Sequence, residues 1–342
     1  MTTNHQIVFG NSNNMKEVED ESIDLIVTSP PYPMMMIDDS LWDSLFISMN
    51  PRIEEALRNN PTEAFELMHK ELDKVWDECI RVLKDGCYLI INIADAPRSF
   101  NGDFQLFDNH SRIVTYLTSK GLKELPPIMW HKPTNAPNKF MGCGCLCGAY
   151  VTSEHEHILI FRKGTKRIFT DEERQLRRES AFFYEERNAW FSDTWNVVGT
   201  SQKIDSEARD RSAAYPLELP YRLINMYSMK GDTVLDPFGG LQTTSKAAML
   251  LGRNSIGYEL DKLLKPLIMV NLESSPTFNH LAHGRLLRHL DFIKNRECKY
   301  HNSNLNCNVV TNYETDIRLD VIKDIQAVEG DNLQYIVTYE PI

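Results

Sequence analysis

The sequence predicts an α/β fold, a mostly parallel sheet covered by helices on both faces. Three observations carry that expectation. Apolar runs of strand length alternate with segments of helical period along much of the 342 residues. The run Ile23-Asp24-Leu25-Ile26-Val27-Thr28 stops at Ser29-Pro30-Pro31-Tyr32, where consecutive prolines let neither strand nor helix continue. Far downstream, Thr233–Asp236 enters the turn Pro237-Phe238-Gly239-Gly240 and then a helical segment. Ligands bind at such strand ends in open α/β sheets.

The elements follow in order. Residues 5–9 and 23–28 read as strands, with a short helix near Asn14–Glu19 between them. Met34–Leu72 interrupts the alternation and reads as an insertion, with helical stretches around Ser40–Met49 and Ile53–Arg58. Glu71–Leu83 carries Leu72, Val75, Trp76, Cys79, Ile80 and Leu83 at the helical period. Asp85-Gly86 should end that helix, and Cys87–Ile93 is a continuous apolar strand. Arg112–Lys120 reads as a helix closed by Gly121. Strands are expected near Pro127–His131 and His155–Arg162. From Asn135 to Arg211 regularity is low. It returns with helix Leu217–Tyr227, strand Thr233–Asp236, helix Thr243–Leu251, strand Ser255–Glu259 and a helix from Asp261. The tail from Pro276 mixes a basic helix, Arg285–Lys299, with strand-like runs Asn306–Thr311 and Gln334–Tyr339.

Composition narrows the class. Hydrophobic residues make up 42% and charged residues 25%, as in globular proteins. The sequence holds no apolar run of membrane-spanning length and no signal-peptide segment, so no membrane partner is expected. Seven cysteines, an odd number without framework spacing, suit free thiols in a reducing, cytoplasmic location. The net charge of −11 argues against broad nonspecific nucleic-acid binding. A local basic face remains open: Arg162, Lys163, Lys166, Arg167, Arg174, Arg177 and Arg178 face only Asp171, Glu172 and Glu173 in their stretch. The bland alternative is a solvated helix face.

Paired glycines let a backbone approach a ligand closely, and the helix start at Thr243-Thr244 offers free N–H groups to a carboxylate. Glu259 ends the next strand, where an acid hydrogen-bonds ribose hydroxyls in nucleotide-type sites. This is not the Gly-x-Gly-x-x-Gly fingerprint, since Gln242 stands where a third glycine might be.

In this order the segments resemble the β-group amino DNA methyltransferases, which use S-adenosylmethionine (SAM) and place the catalytic loop before the cofactor loop. The resemblance rests on Phe9-Gly10-Asn11-Ser12, Asp24–Tyr32, Arg81–Ala94, Trp130-His131-Lys132-Pro133, Glu156–Lys163, Ala213–Ile224, Val234–Gly240, Thr243-Thr244 and Gly257–Asp261. It covers about two-thirds of the chain. It implies a Rossmann-like SAM-dependent fold with permuted motif order. Asn11 would face the cofactor adenine and Tyr215-Pro216 its methionine part. Thr28, Asp236, Pro237, Phe238, Gly239, Gly240, Thr243, Thr244 and Glu259 complete the expected cofactor set. Asn11 replaces the acid usual in the family, and Gln242 the commonest glycine of the cofactor loop.

Ser29, Pro30, Pro31 and Tyr32 are the expected catalytic loop. An exocyclic base amine is a poor nucleophile because its lone pair is delocalised into the ring. Ser29 Oγ and the Pro30 carbonyl could hold its protons and free that lone pair for attack on a methyl sulfonium. Tyr32 could stack on a base flipped from the duplex. Ser at the first motif position favours cytosine N4 over adenine N6, which stays an alternative. A non-catalytic SAM- or DNA-binding module, and RNA or protein substrates, are further rivals.

The resemblance implies double-stranded DNA as substrate and a cognate restriction endonuclease encoded nearby. Target recognition would lie in 136–212, with Lys132 and the basic run on phosphates and the aromatics Phe182, Phe183, Tyr184, Trp190, Phe191 and Trp195 nearby. The catalytic domain would comprise 1–33, 73–135 and 213–275. The helical insertion 34–72 would clamp DNA or cover the sheet, and 276–342 form a C-terminal appendage. Cys143-Gly144-Cys145-Leu146-Cys147 has poor spacing for structural zinc, so no metal is expected.

Overall fold

The computed structural model describes residues 1–35, 41–100, 102–132, 141–142, 148–151, 153–198, 215–328, 330 and 332–342. The Cys143–Cys147 stretch lies outside them. The strands are β1 (Thr2–Phe9), β2 (Ile23–Thr28), β3 (Leu83–Ile93), β4 (Ala96–Phe100), β5 (Asp103–Phe107), β6 (Lys123–His131), β7 (Met141–Gly142), β8 (Ala149–Tyr150) and β9 (His155–Arg162). They continue as β10 (Thr194–Asn196), β11 (Thr233–Asp236), β12 (Asn254–Glu259), β13 (Tyr300–Asn302), β14 (Cys307–Val309), β15 (Asp320–Val328) and β16 (Leu333–Pro341). Ten of them form one sheet, ordered β10-β6-β9-β3-β2-β11-β12-β1-β16-β15.

The central strands β3, β2, β11, β12 and β1 run parallel. Antiparallel β9 and β16 flank them. The expected mostly parallel sheet with helices therefore stands, with mixed edges. β2 is buried at every position and mostly apolar; its one charge, Asp24, accepts from the Thr233 N–H and Lys84. Parallel alignment brings the carboxyl ends of β1, β2, β11 and β12 to one edge. One large apolar cluster, centred on Trp76, Leu89 and Leu235, covers one face of the sheet. A second, with Ile90, Val234 and Met249, covers the other.

Several boundaries differ from expectation. Residues 14–19 form turns rather than a helix, because side chains capture their backbone. Met15 N–H donates to Glu78 Oε2 at 2.6 Å, and Arg81 donates to the carbonyls of Met15 and Val18, each at 3.0 Å. The helix expected over 71–83 begins at Pro61, capped by Asn60, and ends at Val82, so it crosses the expected insertion boundary. Asp85-Gly86 lies inside β3, where Gly86 takes φ +80° and the pairing with β2 shifts register. The basic helix spans His280–Ile293 rather than 285–299.

Two expected units are also woven into the sheet. Within 136–212, β9 and β10 are sheet strands. Within 276–342, β15 and β16 extend the sheet beyond β1. Phe183, Trp190 and Trp195 are buried core residues, not recognition aromatics; Phe183 packs with Cys307, Val309, Ile317 and Leu319 of the tail. The hairpin β4–β5 and the helix Asp171–Glu179 escaped sequence reading, although Thr170 and Glu173 spell the latter's capping box.

Candidate active site

At the carboxyl edge of the parallel strands lies a cavity of ≈ 470 Å³, within the range of ligand pockets. Of the expected residues, Asn11, Ser29, Pro30, Pro31, Tyr215, Pro237, Phe238, Gly239, Gly240, Thr243 and Glu259 border it. Thr28, Tyr32, Pro216, Asp236 and Thr244 do not.

Asp236 departs from the direct cofactor contact expected of it. It is 2% exposed, and its oxygens accept hydrogen bonds from within the protein. Thr28 Oγ1 donates to Oδ1 at 2.6 Å, Phe238 N–H to Oδ1 at 3.0 Å and Thr244 Oγ1 to Oδ2 at 2.5 Å. Tyr215 adds a hydroxyl contact to Thr244 Oγ1 at 2.5 Å. Asp236 thus fixes the shape of the turn that Phe238, Gly239 and Gly240 present to the cavity. Burial pushes its carboxyl above the usual carboxylate range.

Gln242 solves the problem its missing glycine creates. Its backbone adopts the left-handed conformation at φ +64°, which a glycine would take without strain. Its buried side chain fills the space beside Gly239 and Gly257: a Cβ on either glycine would come within 2.1 Å of the Gln242 amide. Ser245 Oγ donates to its carbonyl at 2.9 Å. Asn11, the other departure, turns its own carbonyl oxygen onto the Asn13 N–H at 2.9 Å.

Glu259 closes the far side of the cavity and accepts from the Asp261 N–H at 2.7 Å. Burial pushes its carboxyl up to about 7, against the opposing pull of backbone N–H groups from Asp261, Gly240 and Leu260. Ribose hydroxyls donate best to the ionised form. Cofactor affinity is therefore expected to rise with pH through about 7, changing about tenfold per unit below that value. The protein without cofactor should lose stability as pH rises from about 4.5 to about 7, because the folded state holds this proton longer than the unfolded chain. Calorimetric titrations across this range check the first point, and Glu259→Gln should flatten the dependence.

The insertion roofs this cavity. Trp42, Ser44, Leu45 and Met49 of the helix Leu41–Met49 border it, as do Glu71, Leu72 and Val75 of the helix Pro61–Val82. The Trp42 ring lies 4.9 Å from that of Tyr32, tilted by 58°. Nothing in the spacing of Met34–Leu72 marked these residues as pocket lining.

Tyr32 is 7% exposed and does not stand as an open stacking wall. Its hydroxyl meets Glu156, Asn92 and Ser29, groups from β9, β3 and its own loop. Lys132 pairs with the same Glu156 and so lies beside the Ser29–Tyr32 loop.

The basic run is not brought there. Arg162, the last residue of β9, pairs with Tyr88 midway along β3, because β9 runs antiparallel to β3 and away from the Ser29–Tyr32 loop. Lys163 donates to the carbonyls of Ile80 and Leu83 and pairs with Glu21. Arg167 forks onto Asp232 at 2.9–3.1 Å, and Arg178 pairs with Asp316. Arg174 pairs with Asp171, and Arg177 lies over the Phe169 ring. Lys166 is exposed at the same remote edge. The run is thus divided: Lys163, Arg167 and Arg178 are engaged by segments distant in sequence, whereas Arg174 and Lys166 stay exposed.

Among the described residues, Asp95, His110 and His157 come within metal-ligating reach of one another. The two imidazoles stack 3.9 Å apart and within 13° of parallel, so their lone pairs do not converge on one point. Asp95 instead accepts from His110 Nδ1 at 2.8 Å, and this pairing raises the His110 pKa.

Comparison with known proteins agrees with the motif order. The sequence model of the N6/N4 DNA methylase family matches residues 23–269. The type II methyltransferase M.MthZI of Methanothermobacter thermautotrophicus is 48% identical over 342 residues, covering 98% of this chain and 95% of that protein. M.MjaI of Methanocaldococcus jannaschii, also a type II methyltransferase, is 49% identical over 277 residues, covering 78% of this chain and 91% of its own. A putative DNA modification methylase of Thermus thermophilus, solved in complex with S-adenosyl-L-methionine, superposes with a TM-score of 0.61 at 29% identity over 79% of this chain and 94% of that one. With a matching family model and near full-length relatives, the chain belongs to the N6/N4-type DNA methylase family.

Proposed function

We propose that this chain is a site-specific type II DNA methyltransferase that moves a methyl group from SAM to the N4 amine of cytosine. The observation that carries the reading is the Ser29-Pro30-Pro31 loop on the wall of the same cavity as Glu259 and the Gly239-Gly240 turn. Glu259 would hold the ribose, and the turn and the start of the helix Thr243–Leu250 the amino acid part of SAM. A sulfonium supplies an electrophilic methyl group, and the chain supplies acceptors for the amine facing it. Ser29 Oγ and the Pro30 carbonyl accept the amine protons and localise its lone pair on nitrogen. A neutral hydroxyl at the first motif position supports cytosine N4.

The substrate is double-stranded DNA, with a cognate endonuclease reading the same site in the cytoplasm, as the type II designation of the relatives supports. The test is to express the chain in a host lacking the modification and analyse nucleosides of its DNA by mass spectrometry. N4-methylcytosine is the expected product. N6-methyladenine would overturn the choice of base, and unmodified DNA the whole reading.

A further inference from the structure

We infer that Glu156, acting through Tyr32, sets Ser29 as an acceptor for the target amine and takes up the proton that methylation releases. This rests on the amine-methylation reading above. Ser29 borders the cavity, whereas Tyr32 and Glu156 lie behind its wall, 7% and 6% exposed. Tyr32 Oη donates to Glu156 Oε2 at 2.9 Å and meets Ser29 Oγ at 3.0 Å.

Hydrogen counting orients this chain. A phenol carries one hydrogen, and a carboxylate only accepts. With the Tyr32 hydrogen directed at Glu156, the Ser29–Tyr32 contact must use the hydrogen of Ser29. Asn92 Nδ2 donates to the Tyr32 oxygen at 2.7 Å and to Glu156 Oε2 at 2.5 Å, which completes the acceptor capacity of the phenol. The Ser29 lone pairs are then left free to accept an amine N–H from the cavity. Lys132 Nζ holds the other carboxylate oxygen, Oε1, and lies 4.5 Å over the Trp130 ring. Glu156 is thereby fixed in place with a counter-ion on its far side.

The step balances. The amine nitrogen forms a bond to the methyl carbon as the sulfur–carbon bond breaks, and that electron pair stays on sulfur. The nitrogen now carries a positive charge and a proton to lose. That proton passes to Ser29 Oγ, the Ser29 proton to Tyr32 and the Tyr32 proton to Glu156 Oε2. Both hydroxyls are regenerated, and Glu156 returns its proton to solvent between turnovers. Glu156 touches neither cofactor nor base in this scheme; it is a positioning residue.

The test is single-turnover transfer of labelled methyl from SAM to unmodified genomic DNA, by the full chain. Tyr32→Phe keeps the ring and removes the link; Glu156→Gln keeps an acceptor for Tyr32 but not the proton sink. Each should slow transfer by about a hundredfold, within the range of acid–base contributions. Melting temperature and calorimetric SAM affinity should stay at wild-type values. Wild-type rates in either variant overturn the inference alone. So does a slowing matched by lost melting temperature, which assigns the network to folding. A wild-type chain that methylates no DNA amine overturns the parent reading first.

Discussion

Ser29→Ala is expected to slow methyl transfer by roughly five- to two-hundredfold, the equivalent of about 1–3 kcal/mol of transition-state stabilisation. The variant removes one amine acceptor and leaves the Pro30 carbonyl, so activity should fall without vanishing. Ser29 lies on the cavity wall, but neither the Asp236 network nor Glu259 depends on it. Calorimetric SAM affinity should therefore match wild type. Single-turnover assays separate the two quantities, and a wild-type rate would refute the role given to the loop. No covalent enzyme–DNA adduct should form, since the amine attacks the methyl group directly.

The second large effect concerns folding. Arg285→Ala should destabilise the protein by about 3–5 kcal/mol, because it leaves a buried carboxylate without its partner. Arg285 donates from Nε and Nη2 to Glu186 at 2.7 and 2.8 Å, and the two side chains are 4% and 6% exposed. The pair ties the helix His280–Ile293 to the helix Tyr184–Trp190, and the Arg285 guanidinium lies 5.5 Å over the Trp190 ring. Denaturant unfolding measures the loss. Combining it with Glu186→Gln should recover part of the stability, since the stranded charge is then gone. A loss under about 1 kcal/mol in Arg285→Ala would place the pair with weak surface contacts.

That pair shows how the region 136–212 and the tail 276–342 are joined, since Glu186 lies in one and Arg285 in the other. Its two ends lie 99 residues apart, one in the irregular stretch after Asn135 and the other at the start of the expected basic helix. A charge in a sequence does not say whether it meets water or a partner. Arg167 on Asp232, 65 residues away, and Arg178 on Asp316, 138 away, misled in the same way. These two arginines of the basic run are held by carboxylates that chain order places far away.

By itself the sequence determined what is local. Buried parallel strands are rich in apolar residues, so β2 and β3 could be placed within a few residues. A proline pair must stop a strand, and paired glycines mark a turn open to close approach, so the Ser29–Tyr32 loop and Gly239-Gly240 announced themselves. Motif order followed from chain order. Tertiary structure alone decided which groups meet across the sheet. It laid Trp42 and Leu45 of the insertion over the cavity and turned Asp236 inward onto Thr28 and Thr244. It also set Glu156 behind Tyr32, 124 residues distant. The reason is physical: backbone preference and burial act over a few residues and leave a period or a turn, whereas a hydrogen bond between strands depends on register and crossover, which no short window of sequence records.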